Sequence, residues 1–253
     1  MFKKKQSADK AVLQNAITTL FANIKFSNVD NPVRSLAITS AIPNEGKSTV
    51  TVNLAKVIAG SGKNVLLVEC DMRRRSLAAM LKVHARAGLY AVLAEQVSLR
   101  SAVVATSTPN LFFLDAEPGI PNPADILASK RFDRFVDMLE NAYDYVIFDT
   151  PPVGTFVDAA VISSRVDGTV LVVRDDFTKR DELLAAREQL DKADAHIIGT
   201  VLNNCEVETS EYYYAYYTKD GKRVKQGETP TLPANGGASS SAQGSSRRGR
   251  RNR

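Results

Sequence analysis

Nine residues constrain the fold of this chain more than any other feature: Ala41-Ile-Pro-Asn-Glu-Gly-Lys-Ser-Thr49, set between an apolar strand pattern over residues 35–39 and a helical pattern over 47–59. The segment fits G-x-x-x-x-G-K-[ST], with Ala41 in the place of the first glycine. In a strand–loop–helix setting, successive backbone N–H groups of such a loop form a positive cradle for a phosphate. Gly46 lets the backbone approach without a Cβ in the way. Lys47 can reach the β and γ phosphates, and the Ser48 hydroxyl can ligate Mg²⁺. Asn44, Glu45 and Thr49 complete the set expected to surround a bound nucleotide.

The rest of the pattern agrees with that start. A helix is expected over residues 8–26, with Ala11, Leu13, Ile17, Leu20, Phe21 and Ile24 as its apolar stripe, broken by Asn31-Pro32. Strands are expected at 35–39, 64–69, 111–114, 145–149, 169–173 and 197–202, and helices at 47–59, 131–141, 157–164 and 179–192. Short apolar strands separated by helices imply an α/β fold with a mostly parallel sheet covered on both faces. The chain divides into a helical segment over 1–30, a P-loop domain over 31–206, a tyrosine cluster over 207–218 and a basic Gly/Ser-rich tail over 219–253. The tail has almost nothing to bury, so its composition predicts disorder.

Composition excludes several classes. With 44% hydrophobic and 24% charged residues in 253, the chain reads as globular, without the roughly 18 consecutive apolar residues that a membrane span needs. Met1-Phe-Lys-Lys-Lys5 leads into polar residues rather than an apolar signal segment. Cys70 and Cys205 are the two cysteines; they read as reduced core thiols, not as a disulfide or a zinc site. The net charge of +5 is concentrated at Lys3–Lys5 and in Arg247, Arg248, Arg250, Arg251 and Arg253. No aromatic residues interleave the arginines, so nucleic-acid binding is not expected.

Two more apolar strands end in acids. Tyr145-Val-Ile-Phe-Asp149 is followed by Thr-Pro-Pro152, and Asp149 is placed to hold Mg²⁺ through a water. Leu66-Leu-Val-Glu69-Cys-Asp71-Met-Arg73 carries two carboxylates at i and i+2, a spacing that on a strand directs both to one side, towards the metal and the γ-phosphate. Open α/β sheets bind ligands at these strand ends. Five tyrosines, Tyr212, Tyr213, Tyr214, Tyr216 and Tyr217, then crowd into six residues behind Glu211.

Together these residues resemble the bacterial tyrosine kinases, which adapt a P-loop ATPase fold to autophosphorylation. Lys47-Ser48, the Glu69–Arg73 segment and Phe148-Asp149-Thr-Pro-Pro152 are similar to the family's Walker A, A′ and B motifs, and the tyrosine cluster to its phosphorylation sites. The resemblance runs from about residue 14 to 217. It implies ATP and Mg²⁺ as cofactors, with Lys47, Glu69, Asp71, Arg73 and Asp149 catalytic and Ser48, Asp71 and Asp149 near the metal. The first Walker A′ acid, aspartate in the family, is the proposed base for the tyrosine hydroxyl; here it is Glu69, one methylene longer.

The resemblance also implies partners. These are a separate membrane-embedded activator of the polysaccharide co-polymerase type, further copies of the chain, and a phosphatase that resets the tail. It places the protein in the cytoplasm at the inner face of the plasma membrane, regulating capsular or extracellular polysaccharide synthesis and export. The family's Glu-x-x-Arg-x-x-Arg-like ring motif is replaced here by Asn15-Ala-Ile-Thr-Thr-Leu-Phe21, leaving an apolar contact through Ile17 and Phe21 as the basis for a ring.

Two rivals remain at this stage. A partition or septum-placement ATPase switch would carry a lysine where Ile42 stands and gives no reason for clustered tyrosines. A non-catalytic module would use those tyrosines as interface anchors. Neither His84 nor His196 begins an H-R-D loop, which excludes a eukaryotic-type kinase. Asn203 is a candidate for adenine contact or a turn, and Asp158 reads as a helix N-cap more than a metal neighbour.

Overall fold

The computed structural model describes residues 2–28 and 30–205. The tyrosines 212–217 and the basic tail lie outside the described residues. The elements follow in chain order as α1 (Phe2–Ser27), β1 (Ser35–Ser40), α2 (Lys47–Gly60), β2 (Val65–Glu69), α3 (Leu77–Leu81), α4 (Leu89–Leu93), α5 (Leu99–Ala102), β3 (Val104–Ala105), β4 (Leu111–Leu114), α6 (Pro123–Leu127), α7 (Lys130–Ala142), β5 (Tyr145–Asp149), α8 (Asp158–Ser163), β6 (Gly168–Arg174), α9 (Arg180–Lys192) and β7 (Ile197–Asn203).

The strands form one sheet in the order β3-β4-β2-β5-β1-β6-β7. All pairs are parallel except β3 with β4. Every residue of β1 and β2 is buried, which explains the apolar runs Leu36–Ile38 and Val65–Val68 at their centres. The strand period of two then sorts their side chains. Leu36, Ile38, Val65, Leu67 and Ile147 join Ile17, Ile24, Val50 and Leu54 from α1 and α2. Ala37, Leu66, Val68, Val146 and Phe148 join Phe132, Phe135 and Leu139 from α7 on the other face. Each large side chain fully buried this way contributes about 1.5–3 kcal/mol.

Among the described residues, no helix is long and apolar enough to cross a membrane. α1 begins earlier than its apolar stripe predicts and buries Ile17 and Ile24, while Leu13 stays exposed. Phe21 meets Tyr145 edge-on at 5.7 Å, and Ile17 lies in the core. Ile17 is therefore taken up by the core of its own chain, while Phe21 is half-buried. The helices α3 to α6 and strand β3 went unanticipated, because five residues or fewer carry no usable periodicity.

Because β2, β5 and β1 are parallel neighbours, their C-terminal ends lie side by side at one sheet edge. Glu69 is the register partner of Asp149, and the loop that follows β1 stands next to them. The topology thus gathers three segments far apart in sequence.

Candidate active site

The loop after β1 is shaped for an anion. Gly46 caps α2 with φ 87°, and a Cβ there would lie 2.1 Å from Asn203 Nδ2, so conformation and space both require glycine. The first N–H groups of α2 have no partner inside the helix, as at any helix start, and they add the positive end of the helix dipole. Ala41 is fully buried and is not among the residues with positive φ, which is why alanine serves where the motif has glycine. Other side chains brace the loop from behind. Glu45 accepts from Ile42 N–H at 2.7 Å and from the Thr178 hydroxyl. Asn203 Nδ2 donates to Glu45 O at 2.8 Å. Of the residues assigned to the nucleotide, Glu45 and Asn203 therefore turn to the loop itself, while Asn44, Gly46, Lys47, Ser48 and Thr49 line the cavity.

Asp149, at the end of β5, is fully buried and holds the centre of the site. Ser48 Oγ donates to its Oδ2 at 2.6 Å, and Lys47 Nζ lies 3.4 Å from the same oxygen. Thr51 Oγ1 lies 2.9 Å from Oδ1. The sequence reading missed Thr51, although it stands one helical turn beyond Ser48 on the same face. Lys47 Nζ is also 3.7 Å from Asp71 Oδ2, so one cation serves two carboxylates.

The two acids of the next loop part company. β2 ends at Glu69, so the alternation that would carry Asp71 to the same side stops there. Glu69 is fully buried; its oxygens accept from the N–H groups of Asp71 (3.2 Å), Ser76 (2.9 Å) and Leu77 (3.1 Å). Asp71 instead lines the cavity, with Oδ1 accepting from Arg73 and Arg74 N–H. Burial, and then the negative charge of Asp149, push Glu69 up to about 8. The neighbouring Cys70 is buried in the same loop, and burial pushes its thiol well above the usual range, which makes it unreactive. Cys205 lies beyond β7 and is half-buried, so it is not the core strand thiol expected.

Arg73 is fixed on two sides. Its Nη1 lies 3.0 Å from Asp158 Oδ1, and its guanidinium sits 4.1 Å from the centre of the Phe156 ring. Asp158 is not the N-cap the sequence suggested: Val157 occupies that position, and Asp158 is buried with Oδ2 lacking a hydrogen-bond partner among the described residues. Asp158 and Phe156 carry no motif, so a single sequence gave no signal for their role beside Arg73.

These segments line a cavity of about 420 Å³, to which Lys47, Ser48 and Asp71 contribute polar groups and Met80, Pro152 and Phe156 apolar ones. The donor set suits a small hard cation: a hydroxyl and two carboxylates, all oxygen, beside a phosphate-binding loop. The Gly46 turn and the open start of α2 suit a nucleotide phosphate. The fold and this cavity define a P-loop nucleotide-binding protein.

Comparison with known proteins narrows the class. A family model described as an AAA domain matches residues 33–200. The tyrosine-protein kinase YwqD of Bacillus subtilis (strain 168) is 36% identical over 211 residues, covering 83% of this chain and 89% of the relative. The crystal structure of the chimerical protein CapA2B2 is similar with a TM-score of 0.70 and 33% identity, covering 74% of this chain and 82% of that one. The septum site-determining protein MinD complexed with Mg-ADP, from Pyrococcus horikoshii OT3, shares the fold at 24% identity and a TM-score of 0.59, over 72% of this chain and 76% of that one. The chain belongs to the bacterial tyrosine kinases, and its chemistry is that of a protein-tyrosine kinase.

Proposed function

We propose that the chain uses ATP and Mg²⁺ to phosphorylate Tyr212, Tyr213, Tyr214, Tyr216 and Tyr217 of its own kind, and that this controls capsular or extracellular polysaccharide synthesis. The observation that carries the reading is the convergence of Lys47, Ser48 and Asp71 on one cavity, with the buried Asp149 bonded to Ser48 and Lys47. Ser48 and Asp149 are the residues to hold Mg²⁺, with Asp71 beside them; the ion supplies positive charge at the phosphate oxygens. Lys47 and the loop amides hold the β and γ phosphates against the charge that develops during transfer.

The tyrosine hydroxyl attacks the γ-phosphorus, the bond to the ADP oxygen breaks, and the hydroxyl proton passes to a carboxylate. Asp71 is the proton acceptor in this reading, because it faces the cavity while both oxygens of Glu69 are engaged by backbone amides. Arg73, held by Asp158 and Phe156, adds positive charge beside the transferred group. Met80 and Phe156, which line the same cavity, offer apolar surface to a phenol ring.

The wider setting follows the family: a membrane-embedded activator, further copies of the chain and a phosphatase, at the inner face of the plasma membrane. Phosphates of about −1.5 to −2 charge on neighbouring tyrosines repel one another and drive the tail from the site, loosening the assembly until they are removed. The test is phosphotyrosine blotting of the full chain supplied with ATP, Mg²⁺ and its activating membranes, beside a variant with all five tail tyrosines changed to Phe. Signal in the first and none in the second is expected; equal signal would place the acceptor elsewhere.

A further inference from the structure

We propose that Arg74 determines acceptor specificity by pairing with the acidic residues that precede the tyrosine run; this rests on the reading that the tail is the kinase's acceptor. Three successive arginines follow Asp71-Met72, and they have different fates. Arg73 is paired with Asp158 at 3.0 Å and stacked on Phe156. Arg75 lies 3.4 Å from Asp115 Oδ2 and donates to Ala116 O at 2.7 Å. Arg74 is exposed and donates to a neutral group, Asn44 Oδ1, at 2.9 Å; among the described residues no carboxylate is paired with it. Its backbone is nevertheless fixed, since Arg74 N–H donates to Asp71 Oδ1 at 2.8 Å. A cation on a rigid base, at the rim of the cavity that contains Asp71 and Phe156, is placed to meet an anion on an incoming chain.

The acceptor supplies that anion on one side. Glu206, Glu208 and Glu211 fall within the six residues before Tyr212, where no lysine or arginine occurs. After Tyr217 the sign reverses, with Lys219, Lys222, Arg223 and Lys225 against Asp220. Consecutive Cα atoms are about 3.8 Å apart, so when Tyr212 occupies the cavity that Arg74, Met80 and Phe156 share, Glu211 stands one residue from it. A guanidinium–carboxylate pair is directional as well as attractive. It therefore selects the polarity of the incoming segment: acids towards Arg74, basic residues away.

Charge exchange tests this. Phosphotyrosine occupancy over 212–217 is measured by mass spectrometry on the full chain recovered from its own cells. The variants are Lys47→Met, Arg74→Glu, a tail carrying Glu206→Lys, Glu208→Lys and Glu211→Lys, and the last two combined. Affinity for a fluorescent ATP analogue with Mg²⁺ is measured on the purified full chains. Arg74→Glu and the lysine tail should each lower occupancy on the order of tenfold, the combination should restore most of it, and the lysine tail should leave nucleotide affinity unchanged. Unchanged occupancy in Arg74→Glu, a loss the combination fails to restore, or a loss of nucleotide affinity in the lysine tail equal to its loss of occupancy overturns the inference. A different result overturns the acceptor reading itself: occupancy that persists in Lys47→Met, or none in the wild type.

Discussion

Compare the loop after β1 with the loop after β2. In the first, side chains are turned inward and the start of a helix is left open: Glu45 binds the Ile42 amide and Thr178, and Asn203 holds the Glu45 carbonyl. In the second, two carboxylates engage five of the loop's own amides and three arginines project from it. One loop offers backbone to a ligand, and the other offers side chains. The first loop is braced by its own Glu45 together with Thr178 and Asn203 from distant elements, whereas the second is braced by acids within eight residues of the amides they hold. Substitutions in the two should therefore fail differently.

The largest effect is expected from Glu69→Ala. It leaves the Asp71, Ser76 and Leu77 amides without their acceptor, at about 1–3 kcal/mol for each that stays buried. Urea denaturation should show a loss of several kcal/mol, and a loss below about 1 kcal/mol would mean that Glu69 does not brace the loop. Gly46→Ala is next. The added Cβ must displace Asn203 and strain a left-handed position, which shifts the cradle itself. Phosphotransfer should drop about 100-fold, with little change in the far-ultraviolet circular dichroism.

A smaller effect follows from the titration of Glu69. Its folded-state value is raised to about 8 from 4.5, so the folded protein binds its proton more tightly than the unfolded chain. The associated stability is fully present below about 4.5 and is lost as pH rises towards 8, at no more than about 1.4 kcal/mol per unit. Melting of the chelator-treated protein should show this decline in the wild type, and Glu69→Ala should remove that component. The smallest effect belongs to Asp158→Asn. The amide keeps an acceptor for Arg73 and the Phe156 stacking remains, so kcat should fall only a few-fold with nucleotide KM unchanged. A loss as large as that of Gly46→Ala would show that the Asp158 charge has a role beyond positioning Arg73.

The same contrast explains what the sequence made legible. The loop after β1 was readable because its chemistry is a spacing: Gly46, Lys47 and Ser48 between a strand and a helix leave few alternatives. The sheet was readable because its central strands carry buried apolar runs such as Val146–Phe148. The loop after β2 was misread in part. Whether Glu69 and Asp71 share a side depends on where β2 stops, and nothing in Glu-Cys-Asp marks that end. Asp158 looked like a cap because it precedes a helix; its partner Arg73 is 85 residues away, a distance that local patterns do not span. The same holds for Asn203, which meets the P-loop across 158 residues.

The central claim is that the cavity lined by Lys47 is where the tail tyrosines are phosphorylated. The most direct measurement is phosphopeptide mapping of the chain from its own cells, beside Lys47→Met. Lys47 sits 3.4 Å from Asp149 and 3.7 Å from Asp71, so its loss leaves the two carboxylates without the cation between them. The account predicts phosphotyrosine among residues 212–217 in the wild type and none in the variant. Equal phosphorylation of the two chains would contradict it, and would make the tail the substrate of another kinase.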